Sequence, residues 1–165
     1  MKVFKILGLI IFAVVLIIFT VGYASQPVVQ IPNADKSINQ DFIIGNINDL
    51  ISGNVGNIYN VVFFMCVGAS VLLGLGIIIG FVGIIGFTLI SKIIFFVVLL
   101  LMIVIFIIIQ ITITGGDIAN KLLASYNSKN INTSGLKLSN GTGYYLMAAS
   151  TALMFINVIV YSILA

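Results

Sequence analysis

Between Ile58 and Thr114 the chain carries a single charged residue, Lys92. A helix rises 1.5 Å per residue, and a hydrocarbon core about 30 Å thick takes about 20 residues. This run is too long for one span and must fold back once. Ser91 and Lys92 are the polar pair available to mark the turn. The expected spans are about 59–83 and 93–114. The intervening "GIIGFTLISK" is too apolar to hang in water. It either prolongs the earlier helix beyond the core or lies along the interface.

Two further apolar runs flank this pair. Phe4–Ser25 has Lys2 before it and Lys5 at its start, and "YYLMAASTALMFINVIVYSILA" begins at Tyr144. They give expected spans at about 4–24 and 144–164. Gly22 and Ala24 are arranged like a signal-peptidase site. The run Ile6–Tyr23 is nevertheless longer than an h-region of roughly 7–15 residues, which favours an uncleaved span. Of the 165 residues 61% are hydrophobic and 7% charged, with a mean hydropathy of +1.31. A soluble domain needs far more polar surface, and a disordered chain is poor in apolar residues. The expected fold class is an all-α integral membrane protein, a single domain over 1–165 with four transmembrane helices.

Lysine placement sets an expected orientation, because cytoplasmic flanks are enriched in Lys and Arg. Lys2, Lys5 and Lys92 fall on one side of a four-span chain. The two longer loops, about 25–58 and 115–143, fall on the other. They hold Lys36, Lys121, Lys129 and Lys137 against Asp35, Asp41, Asp49 and Asp117, so their charges cancel. The whole net charge of +3 then lies on the short-segment side, which is expected to be cytoplasmic together with both termini of a cell-membrane protein. Lys2, Lys5 and Lys92 are read as topology anchors. Tyr23, Tyr59, Tyr144 and Tyr145 would form an outer interfacial belt, with Tyr161 near the inner face.

The loops are expected to be structured. Ile43, Ile47, Leu50, Ile51, Val55 and Ile58 recur at helical spacing. Ser37 with Gln40 matches a capping box, and Gly53 and Gly56 would end the helix. This predicts an amphipathic helix near 38–52 lying on the bilayer or the bundle. The second loop opens with Gly115-Gly116 and offers Asp117 as an N-cap. "DIANKLLASY" could form a short helix, and alternation at Leu136 and Leu138 permits a hairpin. Two sequons lie in it, giving Asn132 and Asn140 as candidate glycosylation sites.

Catalytic chemistry is sparse. The chain has no histidine, glutamate, arginine or tryptophan, and one cysteine, Cys66. No metal-ligand set or Cys–His nucleophile can be assembled. The scattered lysines make no nucleic-acid footprint. The glycines around Gly76 lack the context of a phosphate-binding loop. No catalytic, cofactor-binding or metal residues are therefore expected. Helix packing is expected at Gly76 and Gly80 and at Ala148 and Ala152, which have small-xxx-small spacing. Asn157, deep in the last run, should face another helix and not lipid. Backbone carbonyls near the second-span glycines, or groups on a partner chain, are its candidate acceptors.

A long first outer loop, a short inner turn and a shorter second outer loop resemble the claudin and Sur7-type four-span proteins in topology. The claudin Trp-Gly-Leu-Trp and cysteine-pair motif and the tetraspanin Cys-Cys-Gly are absent, so no functional residue carries over. The expected function is that of a non-enzymatic structural or accessory subunit of a larger membrane assembly. Its partners would be the lipid bilayer and other membrane subunits or copies of itself. One alternative is a hydrophobic virion envelope or capsid protein of an AT-rich, archaeal-type virus, located in the virion membrane. It is motivated by a composition rich in Ile, Asn and Lys and lacking Arg. A passive channel or small-solute facilitator is the other, motivated by Gln110, Thr112, Thr114 and Asn157.

Overall fold

The long helices are made of predominantly apolar residues, and the ends of the first two follow from backbone chemistry. The computed structural model describes residues 2–30, 41–44, 54–83, 88–114 and 139–165. Helix α1 spans Lys2–Ala24. Ser25 closes its last turn, its backbone N–H and hydroxyl both donating to Val21 O at 3.2 and 3.0 Å. Pro27, which lacks an N–H, then prevents continuation. Helix α2 spans Asn54–Val82, and Gly83 N–H closes onto Ile79 O at 2.7 Å. Helix α3 spans Thr88–Thr114, and α4 spans Thr142–Leu164. All four are long and apolar enough to cross a membrane.

The helices run up and down in antiparallel order, each packing on its chain neighbours, with α4 returning onto α1. Their inner faces repeat at three- and four-residue steps: Tyr59, Val62, Cys66, Ala69 and Leu73 on α2, and Met147, Ser150, Met154, Asn157 and Tyr161 on α4. That spacing keeps one seam facing inward along a nearly parallel pair of helices. Phe12 and Phe95 stack across the diagonal with centroids 3.8 Å apart, so the middle of the bundle is filled by rings. The outer faces are as apolar as the core. Ile17 is 64% exposed, Phe64 67% and Ile78 60%. Soluble monomers do not present such continuous apolar surface, and hydrocarbon is the solvent that suits it. The described residues thus form a helical bundle fit for a multi-pass membrane protein.

At the end where α1 stops and α4 starts, three two-residue strands form a sheet. They are β1 (Val29–Gln30), β2 (Asp41–Phe42) and β3 (Ser139–Asn140), in the order β2-β1-β3 and antiparallel. Val29 pairs with Phe42 and Asn140, and Gln30 with Asp41 and Ser139. Ser139 Oγ adds a bond to Gln30 O at 3.3 Å. Helix α4 has no side-chain cap. Its entry is instead satisfied by backbone carbonyls, with Gly141 N–H donating to Val28 O at 2.9 Å and Gly143 N–H to Pro27 O at 2.8 Å. These bonds occupy donors that a helix N-terminus leaves without intrahelical partners.

Several expectations change. The fold-back does not fall at Ser91-Lys92. Both residues lie inside α3, which begins at Thr88, and α2 stops at Val82. Thr88 and Gly83, bonded to each other at 3.1 Å, flank the break instead. The polar pair misplaces the turn because both residues find hydrogen-bond partners within the bundle. The helix expected near 38–52 falls mostly outside the described residues. Within that range Asp41–Phe42 is a strand, since its backbone pairs with β1. The short helix and hairpin expected before Ser139 also lie outside them. Tyr23, Tyr59, Tyr144 and Tyr145 lie at the sheet end of their helices and Tyr161 near the opposite end; Tyr23, Tyr59 and Tyr161 are buried in the bundle, and among the described tyrosines Tyr145 is the exposed one.

Candidate functional site

Among the described residues, a cluster of polar contacts lies at the end of the bundle opposite the sheet, where α1 and α3 begin and α2 and α4 finish. Helix C-termini leave carbonyls without intrahelical partners and carry partial negative charge. Two lysines answer this. Lys5, buried at the start of α1, donates from Nζ to Gly83 O at 2.9 Å and to Thr88 Oγ1 at 2.7 Å. It thereby ties the exit of α2 to the entry of α3. Lys92 reaches from α3 to the last turn of α4, with Nζ donating to Ser162 O at 3.0 Å. Lys2 is exposed. The three residues read as topology anchors therefore share one end, and two of them also cap helix C-termini. That second role is legible only once the helix ends are located.

Deeper in, Ser91 is fully buried and donates to Thr88 O at 2.9 Å, with Tyr161 OH 3.4 Å away. The Tyr161 ring meets Phe12 and Phe95 edge-on, both at 5.4 Å. Asn157, 3% exposed, donates from Nδ2 to Gly8 O at 2.9 Å. Its acceptor is a carbonyl of α1 and not one of α2. An Asn157→Leu variant is expected to insert normally but melt earlier in detergent, with a loss of about 0.6–2 kcal/mol, the range for such interhelical bonds. A loss well above that range would point to a larger role.

Gly76 and Gly80 serve different neighbours. A Cβ on Gly76 would come 2.7 Å from Phe95 Cε1 of α3, and one on Gly80 would come 2.5 Å from Leu9 Cδ2 of α1. Each admits a bulky side chain from the facing helix. Ala148 and Ala152 do not pack within the bundle in this way. With Ile103, Phe106, Thr151 and Phe155 they line an outward groove between α3 and α4. Near the sheet end, Tyr144 OH donates to Gln110 Oε1 at 2.5 Å, and Tyr23 OH lies 3.2 Å from Ser70 Oγ.

Cys66 is buried and unpaired within α2, and no group of three metal-ligating side chains occurs among the described residues. Asn140 sits half-buried in β3, and its Oδ1 has no hydrogen-bond partner among the described residues. Asn132 lies outside them. The arrangement brings Lys5, Lys92, Asn157 and Gly80 to one half of the bundle and leaves Ala148 and Ala152 on its surface. Chemically, its donors and acceptors are directed at holding helix ends and helix faces together. No protein-family model matches the chain, and no curated protein matches it in sequence.

Proposed function

We propose that the chain is a non-enzymatic structural or accessory subunit of a larger membrane assembly, a multi-pass protein with Lys2, Lys92 and both termini on the cytoplasmic side. One observation carries this reading. Lys5, Asn157 and Tyr144 are engaged in contacts between the bundle's own helices, and Ser150 and Thr151 bond a carbonyl of their own helix, while the large apolar faces point outward. Such a molecule acts by what it packs against. The channel reading draws no support from a single copy. Asn157 and Gln110, two of its expected lining groups, are both hydrogen-bonded, and the Phe12–Phe95 stack occupies the middle.

The deciding experiment is the native mass and composition of the particle extracted in mild detergent from its source membrane. A complex with other subunits is the expected result. A shell or helical array would favour the virion reading, and a small homo-oligomer conducting solute would favour the facilitator. Orientation is checked separately by impermeant thiol labelling of a Lys2→Cys variant in a Cys66→Ser background. No labelling of intact cells, and full labelling after permeabilisation, is expected. Labelling from outside would invert the topology.

A further inference from the structure

We propose that the lysine end of the bundle holds the phosphate of an anionic phospholipid, through Lys2, Lys5 and Lys92. The inference rests on the four helices spanning a bilayer. Its first support is charge. Two helix N-termini and two C-termini meet at this end, so their macrodipoles largely offset one another, and the charged side chains described there are Lys2, Lys5 and Lys92. The ammonium groups of Lys5 and Lys92 meet only neutral acceptors: Gly83 O, Thr88 Oγ1 and Ser162 O. Among the described residues neither has a carboxylate partner. Asp41, the aspartate they include, is in the sheet at the far end.

The second support is geometry. Lys5 is anchored on Thr88, and Lys92 follows Thr88 by four residues, which places both on one face of α3. Lys5 Nζ therefore sits one helical turn of α3 from the backbone of Lys92, and an anion near both would meet two positive charges. An ammonium has three donors. Lys5 uses two and Lys92 one in the contacts above, so N–H groups remain to bond phosphate oxygens.

The third support identifies the source of the phosphate. The lysines are ringed by apolar side chains at the same level: Val3 75% exposed, Leu89 69% and Ile163 74%. A free phosphate ion gains nothing from such neighbours. A phospholipid sets its headgroup on the lysines and its acyl chains against these residues. Lysine stems lie along apolar surface while their charges reach the headgroup level.

The test uses the whole chain in nanodiscs of equal phosphatidylcholine and phosphatidylglycerol, released for native mass spectrometry. Retained phosphatidylglycerol should exceed phosphatidylcholine. Lys2→Gln and Lys92→Gln should each lower that ratio roughly fivefold, from about 1 kcal/mol per lysine near an anionic surface. Lys92→Arg, which keeps the charge, should preserve it. Lys5 stays intact because it holds two helices together. Lys2→Gln touches no helix contact, so it tests the proposal even if Lys92→Gln fails to fold. Equal retention of the two lipids by the parent would overturn the proposal, as would unchanged retention in a Gln variant that melts like the parent. Displacement of the lipid by inorganic phosphate alone would also overturn it, because the site would then recognise the free ion. Whether the parent stays in the membrane pellet after a carbonate wash tests the membrane reading independently.

Discussion

Gly141→Ala is expected to open the sheet end of the bundle and to cost about 3 kcal/mol or more, at the upper limit of ordinary overpacking. A Cβ at this position would overlap the carbonyl oxygen of Pro27 and come 2.8 Å from its carbonyl carbon. Both obstacles are backbone, so no rotamer change relieves them. Moving the chain away would stretch the bonds from Gly141 N–H to Val28 O and from Gly143 N–H to Pro27 O. The start of α4 would then lose the partners that replace a side-chain cap. Thermal melting in detergent measures the loss. Gly68→Ala is the control, because its Cβ would meet open space. It should be neutral or slightly stabilising, as alanine is favoured over glycine in helices by up to about 1 kcal/mol. Equal damage at both positions would mean that glycine serves some general need and not this close approach.

Tyr161→Ala is expected to destabilise by about 3–5 kcal/mol, as large aromatic truncations in packed cores do. The Tyr161 ring fills the space among Phe12, Phe95 and Gly8, where a Cβ on Gly8 would come 2.7 Å from Tyr161 Cδ2. Its removal forfeits dispersion contacts on several sides at once. Tyr161→Phe keeps the ring and should cost no more than about 1 kcal/mol, the worth of one ordinary hydrogen bond. The hydroxyl's contact with Ser91 is long at 3.4 Å, and Ser91 keeps its bond to Thr88 O. The pair of melting temperatures separates ring from hydroxyl. If Phe proved as damaging as Ala, the polar link to α3 would be the stabilising element.

The four spans were legible because hydrocarbon thickness and helix rise leave little freedom once a run is long and uncharged. The turn between α2 and α3 was not. Lys92 looked like the residue that must stand in water, yet its stem reaches Ser162 O from inside a helix. A single polar residue therefore marks a membrane end only to within the length of its side chain. Strands of two residues carry no periodicity, and their pairing depends on segments distant in sequence, so β1, β2 and β3 left no pattern to read. Asn157 had to face a helix, because its amide needs partners away from lipid. Which helix depends on how α1 and α4 rotate about their axes, a matter of packing. The same rotation turns Ala148 and Ala152 to the surface, although their spacing matches that of Gly76 and Gly80.

The central position of β1 has a consequence for biosynthesis. This strand leaves the ribosome soon after α1, but one of its two partners is Ser139–Asn140. At translation rates of about 5–20 residues per second, the intervening chain takes roughly 5–20 s to make. Through that interval the carbonyls of Pro27 and Val28 lack the N–H groups of Gly143 and Gly141 that later bind them. A chain truncated before α4 never gains those partners, and its first strand keeps an open edge of the kind that pairs with other chains. This end of the bundle thus closes fully only when the last span has arrived.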